Sequence, residues 1–182
     1  MSRDMEILAE LIKKTAQVEL KEENGKLYAI LDETQSPDSM VKIRNLPSDA
    51  LVIKVDQFRS PEDIFNGTKG ECRRADYVII SSEKRCILYI EVKRTKDKWH
   101  KIVQQLRGAE CFVKYCQDIG KSFWKESSFL ACYKHRFVSI GCTSIRIDKK
   151  KTRIDKNSPI HDSPDTAMKI AYPKYILFNS LL

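Results

Sequence analysis

Two carboxylates and an amine stand at the ends of the two most apolar runs in this 182-residue sequence. The runs are Tyr77–Ile80 and Ile87–Ile90; Asp76 opens the first, and Glu91 and Lys93 close the second. A buried charge is costly unless it is paired or bound to a metal, so this placement asks for a chemical reason. In an extended strand successive side chains alternate faces, which puts Tyr89, Glu91 and Lys93 on one side and Leu88, Ile90 and Val92 on the other. If Ser81–Arg85 is a tight polar turn, antiparallel pairing sets Asp76 against the Glu91–Lys93 end. Two carboxylates with open positions suit a hard cation such as Mg²⁺, or Mn²⁺ in its place, which keeps several of its waters. Such a cation lowers the pKa of a bound water and clamps a phosphate oxygen. A neighbouring lysine can orient that water and neutralise charge on the phosphate. The chemistry these parts can perform is phosphodiester hydrolysis. The plainer reading of Glu-x-Lys on a strand is a cross-strand ion pair.

The elements that must position these groups can be read from periodicity. Residues Arg3 to about Thr15 place Met5, Leu8, Leu11 and Ile12 at helical spacing. Val18–Lys21 and Leu27–Leu31 flank Asn24-Gly25, a strong hairpin signal. Gln35–Ser39 reads as a loop, Leu51–Val55 as a strand, and Ser60-Pro61-Glu62-Asp63 as a short helix start. The longest helical pattern runs from Lys98 to about Ile119, with Gly120 as its expected cap. Phe129–Tyr133, Phe137–Cys142 and Tyr175–Phe178 read as strands. Arg146–Lys156 holds six basic and two acidic residues in eleven and reads as a loop or basic hairpin. With no repeat and no composition break, residues 1–182 are expected to form one domain. A helix, a group of strands, a long helix and further strands predict a mixed α/β sheet.

Asp76 followed by Glu91-Val92-Lys93 at the end of an apolar strand resembles the D…(D/E)xK signature of the PD-(D/E)XK nuclease superfamily, the restriction-endonuclease-like fold. The match covers about residues 71–115. The resemblance implies a central mixed sheet flanked by helices, with Asp76 and Glu91 as metal ligands, the Val92 carbonyl as a further ligand, and Lys93 as a catalytic group. That superfamily often carries a glutamine in the helix after the lysine; Gln105 fits, with Gln104 as the alternative. One branch adds a tyrosine four residues further on, where this chain has Ala109. Ala75 stands where the motif's name has proline. Members often add a glutamate from the first helix, which points to Glu10, with Glu6 and Glu19 as rivals. Small stand-alone members occur in bacterial defence and mobile-element systems, and the resemblance implies a role of that kind. The competing expectation is a member that has lost catalysis and serves as a nucleic-acid-binding or protein-interaction module.

The formal net charge of +8 favours an anionic partner. Arg73, Arg74, Arg94, Lys96, Lys98 and Lys101 surround Asp76 and Lys93 in sequence and would hold backbone phosphates, DNA ahead of RNA. A solvated basic face is the alternative for Lys98 and Lys101. Trp99 is the aromatic best placed to stack on a base, and His100 could touch a phosphate. A chain of this size has little room for a separate sequence-reading domain, so specificity would come from loops, a homodimer or a partner protein. The six cysteines form no CxxC pair. Cys111 and Cys116 with His100 or His135 could build a metal site, but buried reduced thiols are the stronger expectation. No stretch is long and apolar enough for a transmembrane helix, and the N-terminus lacks the apolar core of a secretory signal, which predicts a cytoplasmic protein. No phosphate-binding Walker loop, G-x-S-x-G or HExxH occurs, which argues against a nucleotide motor, a serine hydrolase and a zinc protease.

Overall fold

The computed structural model describes residues 2–32, 40–57, 61–93, 97–141, 160–171 and 175–182. Arg94, Lys96, Gln35–Ser39, Ser60, Cys142 and Arg146–Lys156 lie outside the described residues, and the expectations placed on them with them.

The fold is mixed α/β, built in three layers. The middle layer is a five-stranded sheet in the order β4-β5-β6-β7-β8: Leu51–Lys54, Tyr77–Ser81, Cys86–Lys93, Lys134–Gly141 and Met168–Ala171. β4, β5 and β6 run antiparallel, while β6, β7 and β8 run parallel. Every residue of β5 and all but the last of β6 are buried. This explains why these two strands read as unbroken apolar runs: a central strand covered on both faces has no polar side to show.

Two helices, α1 (Arg3–Leu11) and α2 (Trp99–Phe123), cover one face of that sheet. Met5, Ile7 and Leu8 of α1 and Ile102, Leu106, Ala109 and Val113 of α2 pack on Val78, Ile80, Ile87, Tyr89 and Phe137. The other face carries a four-stranded sheet in the order β1-β2-β3-β9: Lys21–Glu23, Lys26–Asp32, Met40–Leu46 and Tyr175–Leu177. Ala29, Leu31, Val41, Ile43 and Ile176 meet Tyr77, Ile79, Leu88, Ile90, Val138 and Ile140 there. Asn24 (φ 53°) and Gly25 (φ 70°) make the β1–β2 turn. Both adopt the left-handed conformation that a two-residue hairpin of this twist requires.

Several sequence expectations need correction. α2 continues through Gly120 to Phe123. Gly120 is there for space: a Cβ at that position would lie 2.1 Å from the Phe129 ring. Phe129–Tyr133 is not a strand, because Leu130 (φ 52°) and Cys132 (φ 61°) turn the chain instead. β3 and β8 were not expected from the sequence. Pro61–Asp63 is a single 3-10 turn. Cys86 and Cys116 are buried, whereas Cys111 and Cys132 are exposed and Cys72 is half-buried.

Candidate active site

The register of β5 and β6 brings the sequence-predicted acids together. Tyr77 pairs with Ile90, so one step beyond the ladder Asp76 stands against Glu91. Val78 and Tyr89 both face the helices; alternation then sends Asp76, Glu91 and Lys93 to that same face. The expected parity is what the strands show. Asp76 Oδ2 accepts a 2.7 Å hydrogen bond from the Val92 backbone N–H, closing the strand pair at this end. Lys93 Nζ lies 2.6 Å from Glu91 Oε1.

Glu91 stands out among the described residues. Its side chain is 0% exposed, while that of Lys93 is 21% exposed and opens the site to solvent. Neither Glu91 oxygen receives a hydrogen bond of good geometry. Burial, followed by the charge of Asp76, pushes the Glu91 carboxyl well above its ordinary range, and Lys93 only partly opposes them. A buried carboxylate without a well-formed hydrogen bond is rare in a folded protein and marks either strain or a place for a missing charge. A divalent cation held by Asp76, Glu91 and the Val92 carbonyl, with water completing the shell, fits this donor set. Among the described residues no group of three or more His, Cys, Asp or Glu side chains gathers as a metal cage. An ion here would therefore keep much of its water. The alternative Cys111/Cys116/His set forms no such cage either; Cys116 is a buried thiol pushed up to about 12, and His135 Nδ1 is hydrogen-bonded with the Tyr89 hydroxyl at 3.0 Å.

α2 begins just after the site and is pressed onto the segment that leads into Asp76. A Cβ on Gly108 would lie 1.7 Å from the Arg73 carbonyl oxygen, so only glycine allows this approach. Gln104 Nε2 donates to the Lys69 carbonyl at 2.9 Å and holds the same segment from the same helix face, one turn before Gly108. Gln104 thus has a structural task. Gln105 lies between the stripe facing this segment and the stripe facing the core, and its buried Oε1 has no hydrogen-bond partner. Of the two glutamines, Gln105 is the one left to meet a ligand.

Glu10 does not reach the site. Its carboxylate accepts a 2.7 Å hydrogen bond from Trp124 Nε1, just beyond the C-terminus of α2. β6 and α2 run in opposite directions between Lys93 and Trp99, so Trp124 lies at the far end of the helix layer. The other acids of α1 are also engaged elsewhere: Glu6 pairs with Arg3 and Asp4 accepts from the Tyr133 hydroxyl. The exposed Glu19 follows α1 and shows no contact with the carboxylate pair. α1 is placed by the packing of Met5, Ile7 and Leu8, which turns its acids away from Asp76 and Glu91.

Of the predicted phosphate-binding residues, Arg73 and Lys98 are exposed, and Arg74 and Lys101 are half-buried. Asp97 sits among them; the Lys98 backbone N–H holds it below the usual carboxylate range, with Lys101, Lys93 and Arg73 helping. The sequence reading missed two neighbours of Glu91. Ser139 of β7 pairs with Glu91, and Lys169 of β8 pairs with Ser139. Their flanking residues Val138, Ile140, Met168 and Ile170 all face the second sheet, so Ser139 and Lys169 face the helices beside Glu91. Alternation within Phe137–Cys142 could have revealed Ser139; Lys169 required knowing which strand lies next to β7.

No protein-family model, curated protein or solved structure matches this chain. No helix among the described residues is long and apolar enough to cross a membrane.

Proposed function

We propose that the protein is a metal-dependent nuclease that hydrolyses phosphodiester bonds of nucleic acid, DNA ahead of RNA, in the manner of the PD-(D/E)XK superfamily. The observation that carries this reading is the convergence of Asp76, Glu91 and Lys93 at one strand end, with the Glu91 carboxylate fully buried, lacking a hydrogen bond of good geometry, and 2.6 Å from the lysine. Asp76, Glu91 and the Val92 carbonyl would hold Mg²⁺ or Mn²⁺. When bound, that ion supplies a water of lowered pKa and a clamp on the scissile phosphate. Lys93, partly open to solvent, orients the attacking water and offsets the charge that grows on the phosphate oxygens. The Gln105 side chain offers a further polar contact. Arg73, Arg74, Lys98 and Lys101 meet neighbouring backbone phosphates, and Arg94 and Lys96 belong to the same basic stretch of sequence.

A second reading is a nuclease-like module that binds nucleic acid or another protein without cutting. It is favoured by one observation: no carboxylate of α1 joins Asp76 and Glu91. Linear, circular and single-stranded nucleic acids incubated with Mg²⁺, Mn²⁺ or chelator separate the two. The nuclease reading expects cleavage with metal and none with chelator. Lys93→Ala should slow cleavage by about 10²–10⁴-fold, the usual contribution of a positioned proton-transfer group, and leave binding nearly unchanged. Wild-type protein that binds but cuts no substrate with either metal would replace the nuclease with the binding module.

A further inference from the structure

We infer that Lys169 is a phosphate-binding residue of the same site, held in place by Trp99, and that it engages the nucleic-acid backbone on the opposite flank from Arg73. This rests on the nucleic-acid reading above. Asp76 stands against Glu91, Glu91 pairs with Ser139, and Ser139 pairs with Lys169. The four residues form one row across the sheet, all on its helix-covered face. Neighbouring strands lie about 4.8 Å apart, so Lys169 starts about 10 Å from Glu91 along that row. The small, buried Ser139 stands between them in the row.

Burial decides which way the row is open. Asp76 and Glu91 belong to the covered middle of the sheet, whereas Lys169 is exposed on the edge strand. Its ammonium lies 3.7 Å from the centroid of the Trp99 ring. Trp99 is the first residue of α2 and packs partly against the helix-side core. The indole therefore fixes the ammonium at the start of α2. A cation over an indole face keeps its charge and its donors on the outer side, which leaves them available to a phosphate oxygen.

The basic residues then fall on two flanks. Arg73 and Arg74 precede β5; Lys169 lies on β8; the carboxylate pair lies between them. A nucleic-acid strand that places one phosphate at Asp76 and Glu91 has a cationic contact on each side. Lys169 is thus a binding residue for a neighbouring phosphate, and Trp99 is a positioning residue that acts through it.

The test uses the full-length protein and a short fluorescent oligonucleotide, single-stranded and duplex, titrated in chelator over a range of salt. Cleavage is timed separately with Mg²⁺ or Mn²⁺. Lys169→Ala should weaken binding several-fold and lower the slope of log affinity against log salt by about 0.7 for single strands or about 0.9 for duplex, the loss of one phosphate contact. Lys169→Arg should restore both affinity and slope. Trp99→Phe, which keeps an aromatic face, should lie between wild type and Lys169→Ala in affinity while keeping the wild-type slope. A Lys169→Ala protein with unchanged affinity and slope overturns the inference even if the wild type cuts. A wild type that binds but does not cut, with the Lys169 effect intact, removes the nuclease reading and leaves this contact standing. A wild type that binds neither oligonucleotide overturns both.

Discussion

Asp76 and Tyr77 are neighbours at the start of β5, yet they face opposite layers and live in opposite polar environments. On the side of the second sheet, the Tyr77 hydroxyl shares its one hydrogen between the Asp32 carbonyl at 2.7 Å and Asp32 Oδ1 at 2.9 Å, and accepts from the Asp32 N–H at 3.0 Å. Lys54 Nζ completes the group, 3.3 Å from Asp32 Oδ1. The Tyr77 hydroxyl, the Asp32 backbone and Oδ1, and the Lys54 ammonium are all engaged, and the result is a clamp between the two sheets. On the helix side, Glu91 has one cation beside it, a second carboxylate close by, and no hydrogen-bond donor of good geometry. A satisfied cluster needs nothing further, while an unsatisfied one costs stability that a ligand can restore. The contrast separates a polar group that serves the fold from one that serves a function.

The largest effect should come from removing the carboxylate that makes the contrast. Glu91→Gln keeps the size of the side chain and loses the charge. Cleavage should fall at least as far as in Lys93→Ala, because an amide is a poor ligand for a hard cation. Stability should move the other way. The Glu91 carboxyl is raised well above its ordinary value of 4.5, so between that value and its folded value the native state holds a proton that the unfolded chain has released. Its contribution is therefore fully present at acid pH and is lost as pH rises through the folded value. Thermal melts across pH should show Glu91→Gln gaining on the wild type as pH increases. A variant that cuts normally, or melts lower than wild type at every pH, would show that Glu91 belongs with the satisfied clusters.

The same residues show what a sequence can and cannot disclose. The carboxylate pair was legible because it depends on local facts: two apolar runs, a short turn and alternation. Together these fix both face and register. The hairpin at Asn24-Gly25 was legible for the same reason, since positive φ at two successive residues has a narrow sequence signature. Glu10 was misplaced because its partner, Trp124, is distant in sequence and the roll of α1 is set by Met5, Ile7 and Leu8 in the core. Ser139 and Lys169 depend on parallel pairing between strands separated by α2 or by a long connection, which no local pattern encodes. β8 has four residues, too few for a period to show, and the apolar run Phe129–Tyr133 matched a strand pattern although its backbone turns.

On the satisfied side, Tyr77→Phe sharpens the comparison with a smaller effect. It deletes the hydroxyl and keeps the packing of the ring against the second sheet. The expected loss is about 1 kcal/mol, that of a typical intramolecular hydrogen bond, because the half-exposed Asp32 can turn to water. Cleavage and binding should be unchanged. The pH dependence should also have the opposite sign to that of Glu91. Burial raises the Asp32 carboxyl, but the Tyr77 hydroxyl and Lys54 outweigh it and hold the group below its ordinary value. Its contribution is present above the carboxylate range and is lost as pH falls through the folded value. The gap between wild type and Tyr77→Phe should therefore narrow in acid. A gap that widens in acid would mean the clamp is not what lowers Asp32.

The smallest effect is expected at Glu10. The bond to Trp124 is exposed, and an exposed substitution of this kind usually changes stability by no more than about 0.5 kcal/mol. Glu10→Ala should leave the melting temperature and the salt slope of binding near their wild-type values. Its cleavage rate, measured at several Mg²⁺ concentrations, should stay within about twofold of wild type, far below the effect expected of a proton-transfer group. One signal should still move: the emission of Trp124, which loses its hydrogen-bonded carboxylate. That change shows that the substitution has broken the contact seen in the fold. A shifted emission with normal cleavage leaves Asp76 and Glu91 as the acidic part of the site. A rate that collapses at low Mg²⁺ and recovers at high Mg²⁺ would instead mean that α1 swings its carboxylate toward Asp76 when metal binds, and the two ends of the helix layer would no longer be separate regions.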